Sequence, residues 1–478
     1  MIAVRSPGAR TISAVCGLGL SALAGLWWIA TDRAAPRGLV IVTLDTTRAD
    51  RLSPYGFMNV SLPHLERLAR EGVVFDRATS VAPLTLPAHT SLFTGLLPPH
   101  HGVGDNADAE LADAQTTLAE VLSAQGFRTA AFVGSVVLDP DRGLKQGFEE
   151  YASVGANDRA QPLAGQRPAN EVVSDAIRWL DTVGESRFFL WVHLYDPHRP
   201  YDPPEPHRSL YGHNLYVGEI AFADAEIGRL LSAVNQKGML DRSVILVAGD
   251  HGESLGDHGE RDHGIFIYES VLRVPLIVRA PRMAPSRVAE VVRLTDVMPT
   301  VLELLGVPSP PTDGVSVVDL MTGRRRDLKL EAYSESLYPE RLGLSPLRAL
   351  REDRFKLIVA PRPELYDLFD DPFEQRNIYD DRRALAETMA ARVAAIAKGR
   401  GSDPAARTVA TPDVQARLAS LGYVASSPAR SPESPLVDPK DCTANAAEPR
   451  ATPRWRPACG TIGVSLKTTL GRPLPPRP

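Results

Sequence analysis

The sequence predicts an α/β domain built on a mostly parallel sheet flanked by helices, followed by a small C-terminal α+β subdomain. Three observations carry that expectation. Short apolar runs without alternation recur along residues 38–305, and segments of helical period separate them. Near residue 328 the pattern changes to short runs joined by polar pairs, as in antiparallel hairpins.

Composition narrows the function classes. The 478 residues allow a large core, and 44% apolar with 23% charged residues is ordinary globular usage. That excludes wholesale disorder and a multi-span membrane protein. Lys and Arg number 53 against 58 Asp and Glu, a balance poorly suited to binding nucleic acid. The cysteines are Cys16, Cys442 and Cys459, so cysteine ligation and cysteine nucleophiles are excluded from the middle of the chain.

Taken in order, residues 1–36 read as a targeting segment. Arg5 and Arg10 precede a charge-free run from Thr11 to Thr31, with Trp27 and Trp28 near its end. A run of roughly 20 residues can span a bilayer, and the leading basic residues place the catalytic part outside the cytoplasm, which is periplasmic in a Gram-negative cell. A cleaved signal peptide, giving a secreted protein, is the alternative.

Residues 37–327 are the expected α/β domain. Strands are predicted over 39–44, 129–133, 188–194, 244–248 and 274–278, and helices over 63–70, 116–124, 171–180, 218–234 and 296–305. Residues 328–425 are the expected small subdomain, with a hairpin over 347–359, a strand over 364–368 and an alanine-rich helix over 383–398. The Pro-rich stretch 426–478 is expected to be disordered, and its Cys442 and Cys459 are able to pair once exported.

The chemistry-bearing residues fall where such a sheet presents ligands. The first strand ends at Asp45 and a later one at Asp250-His251, and sites in open α/β sheets lie beyond the carboxyl ends of strands. Two acids and an imidazole brought together there suit a metal ion. Pro87 fits the first turn of a helix, which puts Thr85 at or just before a helix start, where an anionic group binds well. An ordinary N-cap threonine is the competing explanation. His89, His198 and His263 also follow strand ends or open helices, in a chain with 11 histidines.

These residues together resemble the sulfatase branch of the alkaline phosphatase superfamily. The carriers include VIVTLDTTRADRLSPYG, LTLPAHTSLFTGLLPPHHGV, HLYDPHRPYDPP, AGDHGESLGDHGE and RFKLIVAPRPELYDLFDDPFEQRN, all in order over residues 37 to 400. In that family the nucleophile opens a Cys-x-Pro-Ser-Arg motif and is converted to formylglycine. The corresponding stretch here is Thr85-Leu86-Pro87-Ala88-His89. Threonine cannot give formylglycine, because oxidising its secondary alcohol yields a ketone. The resemblance implies a metal set of Asp45, Thr85, Asp250 and His251, a pattern similar to threonine-using phosphodiesterases and phosphoethanolamine transferases of the superfamily. It places His89 where an arginine usually contacts the nucleophile, and implies substrate contacts at His101 and Asn106.

The expected activity is therefore hydrolysis of a sulfate or phosphate ester, or a phosphodiester, by a Thr85 nucleophile beside one divalent metal ion. Zn or Mn suits the mixed nitrogen and oxygen donors better than Ca, which remains possible. His198 or His263 is expected to protonate the leaving oxygen. The substrate is an anionic ester, on a glycan or a lipid headgroup, and the N-terminal helix is the membrane contact. The weighed alternatives are a phosphoethanolamine-type transferase, a second metal on Asp196, His198 and His263, and an inactive binder of sulfated or phosphorylated glycans.

Overall fold

The computed structural model describes residues 35–107, 110–154, 166–399 and 436–442. The run from Thr11 to Thr31 and Cys459 lie outside them. Among the described residues no helix is long and apolar enough to cross a membrane.

The main sheet has nine strands: β1 (Gly38–Leu44), β2 (Val73–Thr79), β3 (Arg128–Val133), β4 (Glu150–Ala152), β5 (Phe188–Leu194), β6 (Ser243–Gly249), β7 (Arg273–Val274), β8 (Leu276–Arg279) and β9 (Ser286–Arg293). The spatial order is β4-β3-β5-β1-β6-β8-β2-β7, with β9 beside β2. The half from β4 to β6 is parallel throughout, while β8 runs antiparallel to both its neighbours. β1, β5 and β6 are buried along their whole length, which explains why they read as unbroken apolar runs. The run expected over 274–278 is divided at Pro275, which has no N–H to donate to a ladder.

Helices cover both faces: α1 (Pro63–Glu71), α2 (Thr85–Thr94), α3 (Leu118–Ala124), α4 (Ala169–Val183), α5 (Leu215–Gln236) and α6 (Val297–Leu305). One core packs α2 and α6 against Ile41, Leu246 and Trp191, and the other packs α1, α4 and α5 against Val40, Val42 and Val247. Alternate residues of the same strand thus feed opposite layers. Thr117 starts α3 in a reciprocal capping box with Glu120.

The C-terminal part is a second, antiparallel sheet of β10 (Ala332–Ser336), β11 (Leu347–Arg351), β12 (Phe355–Val359) and β13 (Glu364–Asp367), with helix α7 (Arg383–Ala397) against it. Its core includes Val81, Ala82 and Leu97, which flank α2 in sequence, so it is built against the layer that holds α2. Ser334 Oγ donates to Ser80 O (2.7 Å), and Ser80 Oγ donates to Asp250 O (2.5 Å). A buried ion network ties the same sheet to residue 269. Lys356 Nζ lies 3.1 Å from Glu269 Oε1 and 2.9 Å from Glu374 Oε1, and Arg351 Nε lies 3.3 Å from Glu269 Oε2.

Part of the stretch expected to be disordered is structured. Val437 bridges Leu344, Asp438 is buried and accepts from Arg362 N, and Cys442 is buried and disulfide-bonded. Asp438 also faces the Arg362 and Lys440 side chains, so polar pairing holds a segment whose Pro-rich composition suggested none.

Candidate active site

The site begins with register. Leu44 pairs with Leu194 on one side and Gly249 on the other, so the residues just beyond β1 and β6 emerge at one level. Asp45 N donates to Leu194 O (3.0 Å) and Asp250 N to Leu44 O (3.3 Å), which extends the ladder by one step on each strand. Asp45, Asp250 and His251 thereby offer ligand atoms that all lie within 4.8 Å of one another, and all three residues are buried.

Their hydrogen bonds show what they are free to do. Asp250 Oδ1 accepts from His251 N (2.7 Å) and Thr46 N (3.2 Å), while Oδ2 has no hydrogen-bond partner. Neither Asp45 oxygen makes a hydrogen bond of good geometry. His251 Nδ1 donates to Gly252 O (2.9 Å), which leaves the Nε2 lone pair facing the two carboxylates. Burial and the neighbouring His263 push the His251 pKa well below its usual value, so the ring is neutral. Burial and the Asp45 carboxylate push Asp250 well above the carboxylate range. Asp45 goes the other way: burial would raise it, but His193, His198 and His251 together hold it low. Orphaned carboxylate oxygens converging on a neutral imidazole nitrogen fit a divalent cation.

Thr46 adds strain beside this cluster. It is a β-branched residue at φ 49°, held by Tyr216 Oη donating to its carbonyl (2.8 Å), and its own buried hydroxyl has no partner.

Thr85 comes from the opposite side. α2 is buried on every side, and its first residue is Thr85, with Leu84 at the N-cap position. Thr85 therefore is not the helix cap, and no side chain of the N-cap residue bonds the helix. Its Oγ1 lies 3.4 Å from His251 Nε2 and the residue is 1% exposed. Asn106 does part of the capping from outside: its Oδ1 accepts from Leu86 N (2.9 Å), and its buried Nδ2 has no partner. That leaves the Asn106 Nδ2 amide unpartnered at the helix start.

His198 and His263 close the third side, with ring centroids 5.1 Å apart and the His263 ring 4.5 Å from that of His251. His198 Nδ1 is held by Tyr195 Oη (2.8 Å) and Arg199 O (2.6 Å), and burial lowers its pKa. His263 Nδ1 lies 3.2 Å from Glu253 Oε1, and Tyr201 Oη donates to Glu253 Oε2 (3.0 Å). Burial alone would lower the His263 pKa, but Glu253, Asp45 and Asp262 outweigh it and raise it to about 9.

Two expected contacts are corrected. His89 does not face the nucleophile hydroxyl. Its Nδ1 donates to Thr85 O (2.8 Å) and its Nε2 bonds Thr43 Oγ1 (3.0 Å), because residue 89 lies one helical turn on, beneath the site. Burial drives its pKa down to about 3, so it brings no positive charge. His101 has both ring nitrogens engaged, with Ser91 Oγ (2.9 Å) and Val103 N (3.1 Å), and it serves the loop after α2 rather than a substrate. Asp196 does not join His198 and His263 in a second metal group. Among the described residues one cluster of the required kind exists, that of Asp45, Asp250 and His251.

Sequence reasoning passed over Thr43, His193 and Glu253. Thr43 and His193 are the polar residues inside otherwise apolar strands, in register with each other and one position before the strand ends. That shared position is the signal that marks them.

Known proteins resemble the chain across both of its sheets. The family described as Sulfatase matches residues 37–307, and the family described as N-sulphoglucosamine sulphohydrolase, C-terminal, matches residues 256–398. The chain is 24% identical over 399 residues to the ulvan-active sulfatase of Formosa agariphila, covering 73% of this chain and 78% of that protein. It is 26% identical over 409 residues to the choline-sulfatase of Rhizobium meliloti, covering 67% and 78%. The phosphonate monoester hydrolase of Agrobacterium radiobacter superposes with a TM-score of 0.66 at 22% identity, covering 77% of this chain and 96% of that one, which shows a shared fold.

Proposed function

The chain belongs to the sulfatase family, and from that premise we propose that it hydrolyses a sulfate or phosphate-type ester with Thr85 as an unmodified nucleophile beside one divalent cation. The observation that carries this reading is the Thr85 hydroxyl at the start of a buried helix, 3.4 Å from the free nitrogen of His251 and its two orphaned carboxylates. Asp45, Asp250 and His251 would hold the cation, and this donor set suits Zn or Mn. When bound, the cation lowers the pKa of the Thr85 hydroxyl and offsets charge on the non-bridging oxygens.

The remaining work falls to the chain's own groups. With its proton released to solvent as the cation binds, Thr85 Oγ1 would form a bond to sulfur or phosphorus as the bond to the leaving oxygen breaks, and hydrolysis of the resulting ester returns the same deprotonated oxygen. Asn106 Nδ2 and the start of α2 donate to the non-bridging oxygens. His263, turned toward the site by Glu253, gives its proton to the leaving oxygen, and His198 lines the same side. The neutral His263 then takes a proton from the water that cleaves the Thr85 ester. Relatives named as ulvan-active and N-acetylglucosamine-6-O sulfatases support a sulfated glycan as the substrate class.

A location outside the cytoplasm is supported by Arg5, Arg10 and the apolar run after them, and by the disulfide at Cys442. A reporter fused after residue 399 should then be active only in an oxidising compartment, and activity in the cytoplasm would refute the assignment.

The test of function is a panel of aryl sulfates, phosphodiesters, phosphonate monoesters and phosphate monoesters on the purified enzyme. Turnover of at least one class should vanish with a chelator and return with Zn or Mn. Turnover unaffected by exhaustive chelation would overturn the metal assignment.

A further inference from the structure

Beneath the cluster, three buried polar side chains sit among aromatic residues and satisfy one another. Thr43 Oγ1 is their hub: it bonds His193 Nδ1 (3.1 Å), His89 Nε2 (3.0 Å) and Trp191 Nε1 (3.0 Å). The His89 ring lies edge-on to that of His193, with centroids 4.9 Å apart, and Phe93 packs on Trp191 at 4.5 Å. All three polar residues have no exposed surface. Burying polar groups in such surroundings is unfavourable unless each is partnered, and here the partners are mutual except at His193 Nε2, which makes no hydrogen bond of good geometry and faces Asp45.

The two ends of this chain of contacts are the informative part. At one end His89 Nδ1 holds the carbonyl of Thr85 (2.8 Å). At the other, His193 Nε2 lies 3.3 Å from Asp45 Oδ2. An aspartate carboxylate turns easily about its last torsion, which is broad and two-fold. Among the described residues no other side-chain nitrogen lies as near to Asp45, His251 Nε2 being 3.8 Å from Oδ1, so His193 is the group placed to set its angle. The parallel register makes this possible: Thr43 faces His193 across β1 and β5, and Asp45 follows two residues later on the same face.

We propose that His193 is a positioning residue which, with Thr43 and His89, locks the carboxylate of Asp45 to the backbone of Thr85, so that cation and nucleophile are held at a fixed separation. The proposal rests on the cation site argued above. Groups that orient a metal's ligands typically contribute about 10–100-fold to metal affinity.

Two substitutions separate the ends of the brace. In His193→Gln the amide reaches the place of Nε2 and keeps a donor for Asp45, while the link to Thr43 is lost. In His193→Asn the amide reaches the place of Nδ1, keeps Thr43 and loses Asp45. The experiment measures Zn and Mn dissociation constants by chelator competition, together with melting temperatures of the metal-free proteins. His193→Asn should weaken affinity by about 10–100-fold, and His193→Gln, which leaves the Thr43 end unattached, should weaken it as well, each by more than its change in melting temperature accounts for. Affinity that is equal to wild type in His193→Asn, or that merely tracks the melting temperature in both, would overturn the proposal. If His193→Asn yields no soluble protein, Thr43→Val keeps the shape and deletes the hub. Weakened affinity there supports the brace, and unchanged affinity refutes it. A wild-type enzyme that binds neither ion would instead remove the cation site itself, and the brace with it.

Discussion

Two clusters of buried charge in the molecule differ in what is left unpaired. At the small-domain junction, Lys356, Arg351, Glu269 and Glu374 meet within 3.3 Å, each charge facing an opposite one. Beyond β1 and β6, Asp45 and Asp250 face each other with three carboxylate oxygens lacking hydrogen bonds. In the first cluster each carboxylate faces a cation of the chain itself, although Glu374 Oε1 makes no hydrogen bond of good geometry. The second leaves three buried carboxylate oxygens without donors, which the fold alone does not supply. Buried charge that is paired reads as architecture, and buried charge that is orphaned reads as a binding site.

Substitutions at the two clusters should therefore act in opposite directions. Asp250→Asn keeps the Oδ1 acceptor and removes the repulsion with Asp45. It should abolish turnover and cation binding, yet raise the stability of the chelated protein by about 1–3 kcal/mol, read from denaturant unfolding. A destabilised Asp250→Asn would mean that the carboxylates are already compensated in the free enzyme.

His263 sharpens the boundary of the functional cluster. His263→Ala should cost about 10²-fold or more on alkyl esters, which need a protonated leaving oxygen, and far less on p-nitrophenyl esters. Equal losses on both would make His263 a binding group and not the acid.

Lys356→Met is the counterpart at the junction. Removing one partner of a buried pair costs about 3–5 kcal/mol, and this variant should lose that much stability while any protein that stays folded keeps wild-type cation affinity. A fall in affinity at unchanged stability would join the two clusters into one functional unit.

The smallest expected effect concerns acid. Burial would raise the Glu269 pKa, but Lys356 and Arg351 hold it down, to about 2 from 4.5. A depressed carboxylate contributes its stability above its unfolded pKa and loses it as pH falls through the folded one. The stability gap between wild type and Lys356→Met should thus narrow as pH falls from about 4.5 to about 2. A gap independent of pH would mean that Lys356 acts by packing alone.

The same contrast explains how far the sequence could be read. The parallel half of the sheet was legible because β1, β5 and β6 are buried on both faces and carry unbroken apolar runs. β2 and β9 were not, since Asp76-Arg77 and Ser286-Arg287 interrupt them where the sheet meets solvent. The meeting of Asp45, Asp250 and His251 was legible because strand ends fix their place without knowledge of side-chain direction, whereas Thr85 was marked by the family resemblance, its spacing alone suggesting an ordinary cap. Direction is what failed for His89 and His101: residue type marks a histidine as useful, but only the three-dimensional partners show that both rings are already engaged. Thr43 and His193 escaped because one polar residue in an apolar strand does not disturb its pattern.

The central claim is that Thr85 itself attacks, unmodified. Burial at the helix start with no capping role means that Thr85→Ala removes a reactive oxygen without undoing a cap. Mass spectrometry of the peptide containing Thr85, with the resting enzyme and with enzyme quenched in acid during turnover of an aryl ester, tests this directly. The account predicts unmodified threonine at rest and a sulfo- or phospho-threonine adduct at residue 85 on quenching, absent from Thr85→Ser only if serine turns over too slowly to accumulate it. An enzyme whose Thr85→Ala variant keeps wild-type turnover, with no adduct in the wild type, would show that water attacks the ester directly and that Thr85 is not the nucleophile.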